Sequence, residues 1–145
     1  MRATELRISH EAVAANARAL RARVPDGVKM MCVVKADAYG HGAARLAPRL
    51  EAEGLADGFA VAIAEEAAEL RAAGVRGMVL ILGGACEESL REAVRAGASQ
   101  AVYDVDSLGV LADEARRLGV RAKAHLKADT GMSRIGVRTM DELDR

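Results

Sequence analysis

The chain has 145 residues, 51% apolar and 29% charged, which is the length of one domain and enough apolar material for a real core. Its 21 basic and 21 acidic residues cancel to a formal charge of zero, so no basic excess is available to hold nucleic acid or an anionic membrane surface. With 2% aromatic residues and no Trp, the composition also argues against a stacking platform for bases.

Ser9 is placed to cap a helix over 11–23, in which Ala12, Val13, Asn16, Ala17 and Leu20 share one face, and Pro25-Asp26-Gly27 stops it. A core strand over 28–35 and a helix over 43–53 follow, with Gly54 as the C-terminal cap. The rhythm repeats: strand 59–63 and helix 65–73 ending at Gly74, strand 78–82 and helix 87–96 ending at Gly97, strand 101–103 and helix 106–118 ending at Gly119. A last strand over 121–127 leads into a loop through Gly131 and Gly136, after which Thr139-Met140-Asp141-Glu142 reads as a capping box opening another helix. No apolar run approaches the ~20 residues a membrane span needs, and no signal peptide precedes the first helix, so the cytoplasm is the expected location. Cys32 and Cys86 lie far apart, in a strand and at a helix start, and are expected to be reduced thiols rather than a metal cluster or a disulfide.

Short strands alternating with helices imply a parallel sheet, either a (β/α)8 barrel or an open doubly wound sheet, and pattern alone leaves both open. A dinucleotide fingerprint is missing: Gly40 and Gly42 have the first spacing, but Arg45 stands where the third glycine belongs. Roughly five strands can be counted against the eight that close a barrel, so the chain is expected to be an N-terminal fragment with an unpaired edge and an uncovered apolar inner face.

Lys35 ends the apolar run Met30-Met31-Cys32-Val33-Val34 and is followed by Ala36-Asp37-Ala38-Tyr39-Gly40-His41-Gly42, so an amine sits where a strand gives way to a glycine-rich turn. Alternation puts Val33 and Lys35 on one face and Cys32 and Val34 on the other. Such an amine can condense with an aldehyde when neutral, a form that apolar surroundings favour, and the turn offers a hydroxyl and backbone N–H groups suited to a phosphate. The plain alternative is a strand-end lysine reaching for water. Lysine usage weakens it, because only four of the 21 basic residues are lysines, Lys29, Lys35, Lys123 and Lys127, all in the first and last predicted strands.

The stretch Val33-Val34-Lys35-Ala36-Asp37-Ala38-Tyr39-Gly40-His41-Gly42 closely resembles the pyridoxal-phosphate (PLP) lysine motif of bacterial alanine racemases. A second segment, His125-Leu126-Lys127-Ala128-Asp129-Thr130-Gly131-Met132-Ser133-Arg134-Ile135-Gly136, resembles the same family's distal active-site motif, and Glu5-Leu6-Arg7-Ile8 its opening. The resemblance covers the whole chain but only the front of a racemase. It implies an α/β fold, a partial (β/α)8 TIM-type barrel of about five βα units over 9–145, preceded by a strand segment over 1–8 that packs with a C-terminal β domain.

By the same resemblance, Lys35 carries PLP and acts as base on one face of the intermediate. The opposite-face tyrosine comes from the C-terminal domain of a partner subunit in a homodimer. Tyr39 would donate to the cofactor phosphate, with half-buried turn packing as its plain alternative. Arg134 would reach the cofactor's phenolic oxygen and the substrate carboxylate, where an arginine in a Gly-rich loop is otherwise solvated surface. Lys127 shares parity with His125 and would lie near Arg134, where two cations repel. The family's carbamylated lysine resolves this, so Lys127 is expected to be carbamylated; the alternative is a salt bridge to Asp129 or Asp37. His41 and His125 are assigned to packing or hydrogen bonding, and Ser133 departs from the family's glycine.

The implied function is interconversion of L- and D-alanine for cell-wall synthesis, with little or no activity in the chain as it stands, and with no metal, nucleic-acid or membrane partner. Three rivals remain: a non-catalytic PLP-carrying barrel, whose lysine motif lacks the continuation seen here; a racemase or barrel-type decarboxylase acting on another amino acid; and an inactive half-barrel or interaction module.

Overall fold

A computed structural model describes residues 4–143. The Ser9 hydroxyl accepts from the Ala12 N–H at 3.2 Å and opens α1 (His10–Arg21). From β1 (Met31–Val33) the chain passes through a six-residue element, α2 (Lys35–Gly40), to α3 (Ala43–Ala52). Units β2 (Gly58–Val61) with α4 (Ala64–Ala72), β3 (Met78–Ile81) with α5 (Glu87–Arg95) and β4 (Ser99–Val102) with α6 (Val105–Leu118) come next, then β5 (Lys123–Leu126) and the start of α7 (Met140–Leu143). Gly54, Gly74, Gly97 and Gly119 succeed their helices with positive φ, as expected of C-terminal caps.

All five strands are parallel and lie in the order β1-β2-β3-β4-β5, the succession that βα units give when each adds a strand to the same edge. Strand ends differ from the sequence expectation for local reasons. The ladder starts only at Met31 opposite Gly58, because the Met30 N–H donates at 2.7 Å to the Asp57 carboxylate instead of to a strand. β4 begins at Ser99 rather than Ala101; Ser99 and Gln100 are polar yet fully buried, paired with Leu80 and Ile81.

One sheet face is covered by helices. Cys32, Phe59 and Val79 form one row on it, Val61 and Ile81 another, and the chain's single Phe is wholly buried among α3, α4 and Ala14 of α1. A smaller cluster of Leu90, Val94, Val102, Leu111 and Ala115 holds α5 and α6 to β4. At the N-terminal end of the strands, the Arg71 guanidinium donates to the carbonyls of Val75, Gly77 and Ala96 at 2.9, 2.7 and 3.0 Å, joining the ends of α4 and α5.

The opposite face carries Met31, Val33 and Met78, all exposed, and β5 is exposed along its whole length. In a (β/α)8 arrangement this helix-free face is the inner one. Thr4–Ile8, the described part of the expected N-terminal strand, pairs with no strand among the described residues, and Asp144 and Arg145 lie outside them. No helix among the described residues is long and apolar enough to cross a membrane.

Candidate active site

The strand expected to run to Lys35 ends at Val33, two residues before it. The Val34 N–H still donates to Ala60 at 2.8 Å and Val34 itself is buried, but its backbone (φ −123°, ψ 21°) has left the extended form, and Lys35 is half-buried as the first residue of α2. The turn after Lys35 is not an ordinary one. Ala36, Asp37, Ala38 and Tyr39 have φ between 52° and 54°, a left-handed coil of four L-residues without a glycine among them. Each such residue costs roughly 1–2 kcal/mol relative to its right-handed form, so surrounding bonds must hold the coil.

Those bonds are visible. The Ala38 N–H donates to the Val34 carbonyl at 2.8 Å, and the Asp37 carboxylate accepts from the Ala43 N–H at 2.6 Å, capping the coil's exit against α3. His41 Nδ1 donates to the Ala38 carbonyl at 2.8 Å, and His10 Nε2 donates to the His41 carbonyl at 3.0 Å. From the next βα unit the Glu66 carboxylate accepts from the Ala36 N–H at 2.7 Å with Oε1, and from the Ala62 N–H at 2.7 Å with Oε2. His41 therefore has the hydrogen-bonding role expected of it. Glu66 was not foreseen; its one signal is a carboxylate at the third position of a helix whose cap, Ile63, has no acceptor.

The coil sets the Tyr39 ring centroid 5.9 Å from Lys35 Nζ and leaves the ring largely exposed beside Gly40 and the Leu6–Ser9 segment. At the other sheet edge His125 pairs with Ala101, on the face of the Val33–Ala60–Leu80 row, and Lys127 continues that parity. The Lys127 N–H donates to Val102 at 2.8 Å and its carbonyl accepts from Val137 at 2.9 Å, so the 128–136 loop closes back on the end of β5. The buried Asp129 carboxylate organises that loop, accepting from the Gly131 and Ser133 N–H groups at 3.0 and 2.9 Å. These backbone bonds, first Ser133 and then Gly131, hold its carboxyl below the ordinary carboxylate value. Its second oxygen lies 3.5 Å from Arg138, an ion-pair separation with no hydrogen bond. Gly136 permits the closure, since a Cβ there would stand 2.8 Å from the Asp129 nitrogen.

With Asp129 committed to Arg138 and the loop, and Asp37 to α3, neither alternative partner proposed for Lys127 pairs with it. Arg134 is exposed in the same loop, and Ser133, which departs from the family's glycine, takes φ 58°, a backbone that favours glycine. Lys35 and Tyr39 thus sit together in α2, just after β1, while Lys127 and Arg134 follow β5, across the strands but at the same C-terminal end.

Residues 8–145 match the family model described as alanine racemase, N-terminal domain. The chain belongs to this family. Alanine racemase 1 of Caldanaerobacter subterraneus subsp. tengcongensis is 41% identical over 141 residues, covering 97% of the chain and 36% of that relative. The alanine racemase crystal structure from E. faecalis superposes with a TM-score of 0.84 at 35% identity, over 94% of this chain and 37% of that one. A histidine racemase from Leuconostoc mesenteroides subsp. sake superposes at 0.79 with 28% identity, over 94% of the chain and 36% of its own. The chain thus spans little more than a third of the length of these alanine racemase relatives, and its open five-stranded sheet is part of the (β/α)8 barrel the pattern had left undecided.

Proposed function

We propose that this chain is the N-terminal barrel portion of a PLP-dependent alanine racemase, in which Lys35 carries the cofactor. The observation that carries the reading is the lysine just past the end of β1, followed by a bonded left-handed coil that presents Tyr39 beside it. The donor set fits the cofactor: an amine for its aldehyde, a phenol for its phosphate and a guanidinium for its phenolic oxygen or a substrate carboxylate. When bound, PLP supplies an electron-withdrawing ring that makes the α-proton of an amino acid acidic.

In this reading the Lys35 amine takes and returns that proton on one face, and Arg134 orients the carboxylate. The Tyr39 hydroxyl donates to a phosphate oxygen. Lys127 is carbamylated, which makes it an acceptor for Arg134, and intact mass before and after acidification tests this. The opposite-face acid/base group is assigned to a tyrosine of a C-terminal β domain in a partner subunit, against which the Thr4–Ile8 segment packs. Alanine as substrate is supported by the relatives' own activity, and the likeness to a histidine racemase shows that the scaffold serves another amino acid elsewhere. A homodimeric cytoplasmic enzyme of D-alanine supply completes the proposal.

Incubating the chain with PLP, reducing with borohydride and mapping the adduct tests it. Attachment concentrates at Lys35 and vanishes in Lys35→Ala; equal labelling of Lys29, Lys35 and Lys123 refutes it.

A further inference from the structure

We propose that Glu66 is a positioning residue for Lys35, joining the left-handed coil after the lysine to the start of the next βα unit; the inference rests on the cofactor-bearing role given to Lys35 above. Among the described residues, Glu66 is the side chain that hydrogen-bonds α2 from a neighbouring unit. Its Oε1 accepts from the Ala36 N–H at 2.7 Å, and Oε2 accepts from Ala62 at 2.7 Å and Ile63 at 3.3 Å. The two oxygens face opposite ways into separate N–H groups, so both must be acceptors. Glutamine has one carbonyl oxygen, and its amide would set an N–H against an N–H on the other side. Aspartate is a methylene shorter and cannot span the two.

The bond falls where it has most leverage. Ala36 is the residue directly after Lys35 and the first of the four with positive φ. A coil of that hand relaxes toward right-handed backbone unless pinned at both ends, and such relaxation re-aims the side chain immediately before it. Asp37 pins the exit on Ala43, and Glu66 pins the entrance. Glu66 also sits at the N-terminus of α4, whose cap residue Ile63 has no acceptor, so its structural and positioning roles must be separated.

Three chains separate them: wild type, Glu66→Ala, and Ile63→Ser with Glu66→Ala, in which the serine hydroxyl gives α4 a side-chain cap of its own but does not replace the bond to Ala36. Glu65→Gln, an exposed neighbour, is the control. Each is read for melting temperature, for exchange of the Ala36 amide, and for the rate of borohydride-trapped PLP attachment at Lys35 relative to Lys123. Loss of a charge-assisted hydrogen bond gives about tenfold faster Ala36 exchange and about tenfold slower Lys35 attachment in Glu66→Ala. In the double variant the melting temperature recovers and both of those losses persist. Recovery of Lys35 attachment in the double variant reduces Glu66 to a helix cap, and unchanged Ala36 exchange in Glu66→Ala removes the anchor; either overturns the proposal. If wild type itself shows no preference for Lys35, the functional reading falls, and the Ala36 exchange rates alone still decide whether Glu66 holds the coil.

Discussion

Ser133 and Gly136 show opposite uses of backbone freedom in one loop. Ser133 holds φ 58° with a side chain, so Ser133→Gly should stabilise the chain by up to about 1 kcal/mol, the left-handed penalty less the extra entropy glycine loses on folding. Gly136→Ala should cost roughly 2–3 kcal/mol, because its Cβ would press on the Asp129 backbone at φ 130°. Thermal melts of the two variants read both signs. Lys35, Tyr39, Arg134 and Lys127 were singled out through the two racemase-like motifs, and their roles stand as proposed above. The left-handed coil was not, since Ala36 and Ala38 have no preference for that backbone and only the bonds from Glu66 and Asp37 reveal it. Glu66 was hidden for a related reason: its partner is a backbone N–H thirty positions away, and a backbone amide has no signature in sequence.

At the level of helices and strands, two arginine-centred clusters join neighbouring units. Arg71 ties the ends of α4 and α5 through carbonyls, so Arg71→Met removes a charged donor from several acceptors at once and should cost about 2 kcal/mol, measured by urea unfolding. Between α5 and α6, the buried Glu114 receives bonds from Arg117 at 2.7 and 2.9 Å and from Arg95 at 3.0 Å. The Arg117 bond foremost, with Arg95 adding to it, holds the carboxyl at about 2 against an ordinary 4.5. A carboxyl lowered on folding stabilises fully above its unfolded value, and this contribution fades as pH falls from about 4.5 toward about 2. Stability measured across that window should therefore drop less steeply in Glu114→Gln than in the wild type. Helix positions were legible almost to the residue because glycine stops and Ser9 mark them. Strand ends were less so, since the Asp57 side chain and the buried Ser99–Gln100 pair set limits that apolar patterning does not encode.

Across the whole molecule, one side of the sheet is a finished core and the other is open. Met31, Val33 and Met78 line that open side, and β5 is exposed throughout. The chain should accordingly bind a hydrophobic dye in its folded state, and Val33→Thr with Met78→Gln should lower the fluorescence without altering far-UV circular dichroism. Alternation of strands and helices announced the layered parallel design, and the racemase-like motifs selected the barrel from the two architectures that pattern allowed.

The coil after Lys35 also restricts what could replace it. A saturation library over Ala36–Tyr39 should return a narrow alphabet, rich in Gly, Asn and Asp and empty of Val, Ile and Thr, because branched side chains abhor that twist. Transplanting Lys35 to another barrel therefore means grafting its counter-wound collar too.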